Sequence, residues 1–258
     1  MVSFGTSHLD TRKKNIEEIG QTLQRHFFDH EFYEAYTSKM IIQELKKKDI
    51  MMNDVKQAME LMKKNGVTEV LVQPTHVLPG IEYEQMMDDL RKFTTRFQQI
   101  KIGEPLLHDT SDCEIVVDTV GTYLESCHLQ QNSGVILMGH GTQHDVNPIY
   151  CKVDDMLKQR GYTNVHVATV EAVPSIEDVI ETIKKYSYHH IFLLPFMIVA
   201  GDHAKNDMAG ENEGSYYSKL KKEGYVVTFE LKGLGEYPAI RELILQHATQ
   251  AKFLGSDN

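Results

Sequence analysis

A chain of 258 residues, 41% hydrophobic and 25% charged, has the make-up of a globular protein with room for one large domain or two lobes. Its 27 Lys and Arg against 37 Asp and Glu leave a net charge of −10, which excludes a general nucleic-acid role because no basic surplus exists to neutralise phosphates. No run of about 18 apolar residues is present, so no membrane partner is expected. Three cysteines, Cys113, Cys127 and Cys151, lack CxxC spacing and argue against a disulfide framework or zinc ribbon. Together with an amino end that has no signal-peptide pattern, they point to a reducing cytoplasm.

Short apolar runs alternate with longer amphipathic ones along the chain, the pattern of parallel strands covered by helices, so the expected fold class is α/β. Strands are expected at 2–4, 32–36, 69–73, 134–138, 164–169, 189–195 and 226–230. Helices are expected at 11–26, 53–65, 83–97, 112–124, 148–159, 176–186 and 237–248. Asp10 or Thr11 is a candidate cap for the first helix, and Ser175 with Asp178 three residues on forms a capping pattern with a shortened acid.

The two halves repeat one another. Gly5-Thr6-Ser7-His8 matches Gly141-Thr142-Gln143-His144, each between a strand and a helix. The stretches "VLVQPTHVLPGIEYEQM" and "IFLLPFMIVAGDHAKNDM" align without gaps, pairing Pro74 with Pro195, Gly80 with Gly201 and Glu82 with His203. Two matches in the same order, both at strand ends, indicate a duplicated α/β lobe. The polar, turn-rich "ESCHLQQNSG" then places the boundary near 125–132, giving lobes 1–128 and 129–258 with a cleft expected between them. Ligands of open parallel sheets bind beyond the carboxyl ends of the strands, so both Gly-Thr-x-His turns are expected to face that cleft.

Three strands of the second half end in groups able to bind a divalent metal: His140 after "GVILM", Glu171 after "VHVATV" and His203 after "IFLLPFMIVAGD". Their separations of 31 and 32 residues are each about one βα unit. Taken singly, Glu171 also fits a helix-capping or surface carboxylate, and His203 a loop histidine. The apolar neighbours Val170, Ala172 and Val173 suggest a buried Glu171, which would need a partner or a metal. Two imidazoles and a carboxylate suit Fe, Co, Ni or Zn divalent ions.

The stretches "MGHGTQH", "VEAVPS", "MIVAGDHAKNDMAG" and "KGLGEYPAIRELI", with "SFGTSHLDTR" and "LPGIEYEQM" in the first half, closely resemble the anaerobic, class II cobaltochelatases that insert cobalt into sirohydrochlorin for cobalamin synthesis. The resemblance covers nearly the whole chain. It implies a two-lobed chelatase fold, His140 and His203 as metal-binding and catalytic histidines, Glu171 as a further metal ligand, and Glu82 as a first-lobe acid associated with metal choice. The pairing of Glu82 with His203 arises independently from the internal repeat. No cofactor beyond the divalent metal substrate is expected, since neither a Walker pattern nor a dinucleotide fingerprint is present.

Sirohydrochlorin carries eight carboxylates, which a chain of net charge −10 repels at long range. Local cations must offset this. Arg12 is the first candidate because a guanidinium can grip a carboxylate in two places, with Lys13, Lys14 and Lys205 beside it. Gly5, Thr6, Ser7, Gly141 and Thr142 complete the expected substrate contacts. Competing readings are insertion of Fe2+ or Ni2+, insertion into a different tetrapyrrole, a non-catalytic metal or tetrapyrrole carrier, and a metal-dependent hydrolase. The Met-rich stretch "IMMNDVKQAMELMKK" offers one surface for a homo-oligomer, although Val55, Met59 and Met62 fall at helical spacing and read as core.

Overall fold

The computed structural model describes residues 1–255. In chain order the first half holds β1 (Val2–Ser3), α1 (Leu9–Arg12), a π-helical turn (Lys13–Glu17) continuing into α2 (Glu18–His26), β2 (Ala35–Tyr36), α3 (Lys39–Lys46), β3 (Asn53–Asp54), α4 (Val55–Lys64), β4 (Glu69–Val72), α5 (Ile81–Arg91), β5 (Gln99–Ile102) and α6 (Thr110–Ser126). The second half holds β6 (Ser133–Gly139), α7 (Ile149–Gln159), β7 (Val165–Thr169), α8 (Ile176–Ile183), β8 (His190–Pro195), a second π-helical turn (Ala204–Met208), α9 (Tyr216–Lys222), β9 (Val226–Phe229), α10 (Pro238–Thr249) and β10 (Lys252–Phe253).

The chain forms two compact units, one made of Met1–Asp112 with the residues from Pro238 on, the other of Cys113–Tyr237. This differs from the expected lobes 1–128 and 129–258 at both ends. The polar loop near 125–132 marks a surface turn inside the second unit. There α6 is tied to the chain after α7 by an Arg160–Asp118 ion pair and by the Tyr162 hydroxyl, which donates to Glu125 at 2.7 Å. At the other end α10 packs on α2, and its His247 Nε2 lies 3.0 Å from Asp112 Oδ1, so the carboxyl-terminal helix belongs to the first unit.

In the first unit, β3, β2 and β1 pair in parallel, and β4 pairs in parallel with β5. Val2 joins the two groups: it bridges to Pro74, donates to the Gln73 carbonyl at 2.9 Å and accepts from Thr75 N at 2.8 Å. β10 lies antiparallel at the edge of β5. The second unit is an all-parallel sheet in the order β7-β6-β8-β9. Through β1, β2, β4 and β5 the first unit runs in the corresponding order β2-β1-β4-β5, so the repeated motifs sit on repeated topology.

Each sheet is covered by apolar helix faces. Val55, Met59 and Met62 of α4 pack with Val2, Val72 and Ile100 in the first unit, as their helical spacing requires. In the second, Ile180 and Ile183 of α8 pack with Ile136, Met138 and Leu193. β6 is buried along its whole length, which explains its unbroken apolar run. α8 opens on a capping box in which Asp178 N donates to Ser175 Oγ at 3.2 Å and Ser175 N donates to Asp178 at 2.8 Å, worth about 1 kcal/mol. The first helix departs from expectation: it starts at Leu9 on His8, without a side-chain cap, and Asp10 and Thr11 lie inside it. No helix among the described residues is long and apolar enough to cross a membrane.

Candidate metal centre

His140 is the first residue beyond β6, and the turn after it is set by Gly141. That glycine has φ +80°, and a Cβ there would stand 2.9 Å from both the Ala172 nitrogen and the Thr169 Cβ. The left-handed turn therefore lets the chain pass tightly over the end of β7. Gly141 N donates to the Tyr150 hydroxyl at 3.3 Å, a phenol that burial pushes up to about 12. Gly141 O receives the His140 Nδ1–H at 2.9 Å, which leaves Nε2 as the nitrogen with a lone pair.

β7 delivers Glu171 to the same place through its main chain. Val170 N donates to the Gly139 and His140 carbonyls, each at 3.1 Å, and Glu171 N donates to His140 O at 2.9 Å. Gln143 Nε2 donates to the Glu171 carbonyl at 2.8 Å. The Glu171 carboxylate stands 3.7 Å from His140 Nε2. Its side chain is 55% exposed, which corrects the expectation of burial. The apolar neighbours that suggested burial turn elsewhere: Val173 is itself exposed, and Val170 packs against the core of the unit.

His203 heads the π-helical turn Ala204–Met208 that follows β8. Ala204 and Met208 are fully buried in the core of the second unit and anchor the turn. His203 Nδ1 lies 2.6 Å from Asp207 Oδ2, and its ring meets that of His140 edge to face, with centroids 4.8 Å apart. The ligand atoms, one each from His140, Glu171 and His203, lie within 4.8 Å of one another. Donors around a single tetrahedral ion stand about 3.3 Å apart, so the trio is wider than a closed coordination shell by up to about 1.5 Å. Both imidazoles are half-buried, within reach of solvent.

The other expected site residues divide. Thr142 Oγ1 accepts from His144 N at 3.2 Å, and Thr6 Oγ1 accepts from His8 N at the same 3.2 Å, so the repeat extends to hydrogen-bond geometry. Thr6 is buried and Thr142 half-buried, and each hydroxyl accepts a hydrogen bond within its own turn. Gly5 is left-handed like Gly141, with φ +103°. Ser7 presents its carbonyl to Lys48 Nζ at 2.8 Å. Arg12 pairs with Glu34 at 3.3 Å and Glu17 at 3.5 Å, so its charge already has two carboxylate neighbours within the first unit. Glu82 stands half-buried in the first turn of α5, in the first unit.

One feature escaped the sequence reading. Asp207, four residues after His203, was legible only as an i, i+4 pair. His76 is buried at the end of β4 with Nε2 3.3 Å from Thr37 Oγ1, and burial pushes it down to about 4, leaving it neutral. His144 is a local brace, its Nδ1 accepting from Val146 N at 3.2 Å.

Two imidazoles and a carboxylate brought together beyond the strands of a parallel α/β unit are a donor set of the kind that would suit a divalent cation. The chain belongs to the family Cobalt chelatase (CbiK), which it matches over residues 1–252. It is 33% identical over 252 residues to the sirohydrochlorin cobaltochelatase of Salmonella typhimurium, covering 97% of this chain and 94% of that protein. It is 27% identical over 219 residues to the sirohydrochlorin cobaltochelatase CbiKC of Nitratidesulfovibrio vulgaris, covering 84% and 77%. Among solved structures it resembles SirB from Bacillus subtilis with Fe3+, with a TM-score of 0.68 at 16% identity over 96% of this chain and 92% of that one, a likeness of fold.

Proposed function

We propose that this chain inserts Co2+ into sirohydrochlorin, releasing the two pyrrole N–H protons as the ring nitrogens take the metal. The observation that carries this reading is the convergence of His140, Glu171 and His203 from three strand ends to within 4.8 Å. Membership of the cobalt chelatase family and the printed activity of the relative at 33% identity support the choice of metal and ring.

The chemistry follows from what metallation requires. The hydrated cation exchanges water for Nε2 of His140, Nε2 of His203 and a Glu171 oxygen. Three protein donors leave positions from which ring nitrogens can displace them in turn. A neutral imidazole can hold a metal or accept a proton, but one lone pair cannot do both at once. In this reading the histidine that the ion leaves first takes one pyrrole proton, and Glu82 takes the other. Val173, exposed two residues beyond Glu171, offers an apolar contact to the macrocycle.

The exposed Lys13 and Lys14, with Lys48 at Ser7 and Lys205 two residues from His203, are the cations proposed to meet substrate carboxylates. A cytoplasmic setting belongs to the same reading, supported by the absence of a disulfide among the described residues.

The test is anaerobic metallation of sirohydrochlorin, followed by absorbance, with Co2+, Fe2+ and Ni2+ in turn and substrate in large excess over protein. Many turnovers with Co2+ fastest are expected. Binding limited to one equivalent would make the protein a carrier, and faster turnover with another ion would change the metal.

A further inference from the structure

We infer that Asp207 is a positioning residue for the metal site: it holds His203 in the Nδ1–H tautomer and so keeps Nε2 free to bind the cation. This rests on the reading of His203 as a ligand of the metal substrate.

The hydrogen bond from His203 Nδ1 to Asp207 Oδ2 is 2.6 Å, at the short end for an imidazole donor. An ionised carboxylate only accepts, so the proton of a neutral His203 must sit on Nδ1. Without a fixed acceptor, imidazole in water favours the Nε2–H form, which occupies the very nitrogen a metal needs. His140 solves the same problem differently, giving Nδ1–H to the Gly141 carbonyl at 2.9 Å. A backbone carbonyl is fixed by the fold, whereas Asp207 is a replaceable side chain, so the tautomer of His203 depends on one residue.

The local backbone supports the assignment. His203 caps, and Asp207 lies within, one π-helical turn, a feature concentrated at functional sites. Ala204 and Met208 within that turn are fully buried, so the turn cannot swing freely. The Asp207 side chain is 44% exposed and contributes little packing of its own, so its removal is not expected to unfold the protein.

The test uses the full chain with Co2+ alone as probe, and the isosteric Asp207→Asn, which keeps shape but replaces the charged acceptor by a neutral amide whose N–H competes with its oxygen for the ring nitrogen. Long-range 15N NMR of the metal-free protein near pH 8 reports the His203 tautomer, and titration with Co2+ reports affinity. Wild type is expected to show Nδ1–H. Asp207→Asn is expected to show a mixture with Nε2–H and a Co2+ affinity about 10–100-fold weaker, while Asp207→Glu restores both. Unchanged tautomer and affinity in Asp207→Asn would overturn the inference. So would weakened affinity with the tautomer unchanged, since that assigns the effect to charge. Tight Co2+ binding by wild type without metallation of sirohydrochlorin would undo the functional reading alone and leave this inference standing.

Discussion

Glu171 is tied to His140 by its main chain and faces it with its side chain: its amide donates to the His140 carbonyl at 2.9 Å, and its carboxylate stands 3.7 Å from the His140 Nε2. The main-chain bond fixes where the carboxylate starts, and the exposed side chain is left to complete the approach. That combination suits a site that must both take up and give away a cation.

Replacing either imidazole removes a donor without removing core. His140→Ala and His203→Ala are expected to lower the turnover number for cobalt insertion by at least about 100-fold, the scale on which acid–base and ligand groups act. Both side chains are half-buried at loop positions, so thermal melting should shift by no more than about 3 °C. Full activity in both variants would remove the site from the mechanism.

Gly141 places His140 by a route that a side chain blocks. At φ +80° a Cβ meets the Ala172 backbone nitrogen and Thr169 Cβ at 2.9 Å. Gly141→Ala should therefore cost about 2 kcal/mol or more, from left-handed backbone strain plus the clash. Calorimetry should show melting lowered by about 4–8 °C, with Co2+ affinity reduced in the same variant. An unchanged melting temperature would mean that the turn can relax elsewhere.

Much of this was readable from residues alone. The buried apolar runs of β6, β7 and β8 announced strands, and the groups beyond them come within 4.8 Å of one another because a parallel sheet brings strand ends together. Short elements were missed: α3, β5 and α9 have seven or eight residues or fewer, too short for a periodic pattern to stand out. The unit boundary was misplaced because a polar loop reports surface, while the partner of α6 depends on which sheet its buried face meets. The pairing of Arg12 with Glu34 was not legible, because residues 22 apart become adjacent only once β2 pairs with β1.

Glu82 tests whether proton removal and metal holding are separate. Glu82→Gln is expected to lower turnover with sirohydrochlorin by about 100-fold, the lower end for a proton-transfer group. Co2+ affinity of the substrate-free protein, measured by titration, should stay within a factor of two. Loss of Co2+ binding in this variant would instead make Glu82 a metal ligand.

Stability should fall on mild acidification. Burial pushes His76 and His166 down to about 4, so between pH 4 and the ordinary histidine value near 6.5 the unfolded chain binds protons that the folded chain does not. Stability from these groups is complete above pH 6.5 and is lost as pH falls toward 4, by at most about 3 kcal/mol per histidine. Urea unfolding at a series of pH values checks this. His166→Asn should flatten the pH dependence between 6.5 and 4, and an unchanged slope would show that His166 titrates normally in the fold.

The most direct measurement is the position of cobalt itself, from anomalous diffraction on crystals of the substrate-free protein soaked anaerobically in Co2+. The prediction is one ion bound by Nε2 of His140, Nε2 of His203 and a Glu171 oxygen, with water completing its shell. Cobalt bound elsewhere, or no cobalt between these three side chains at saturating concentration, would contradict the site on which the proposed chemistry depends.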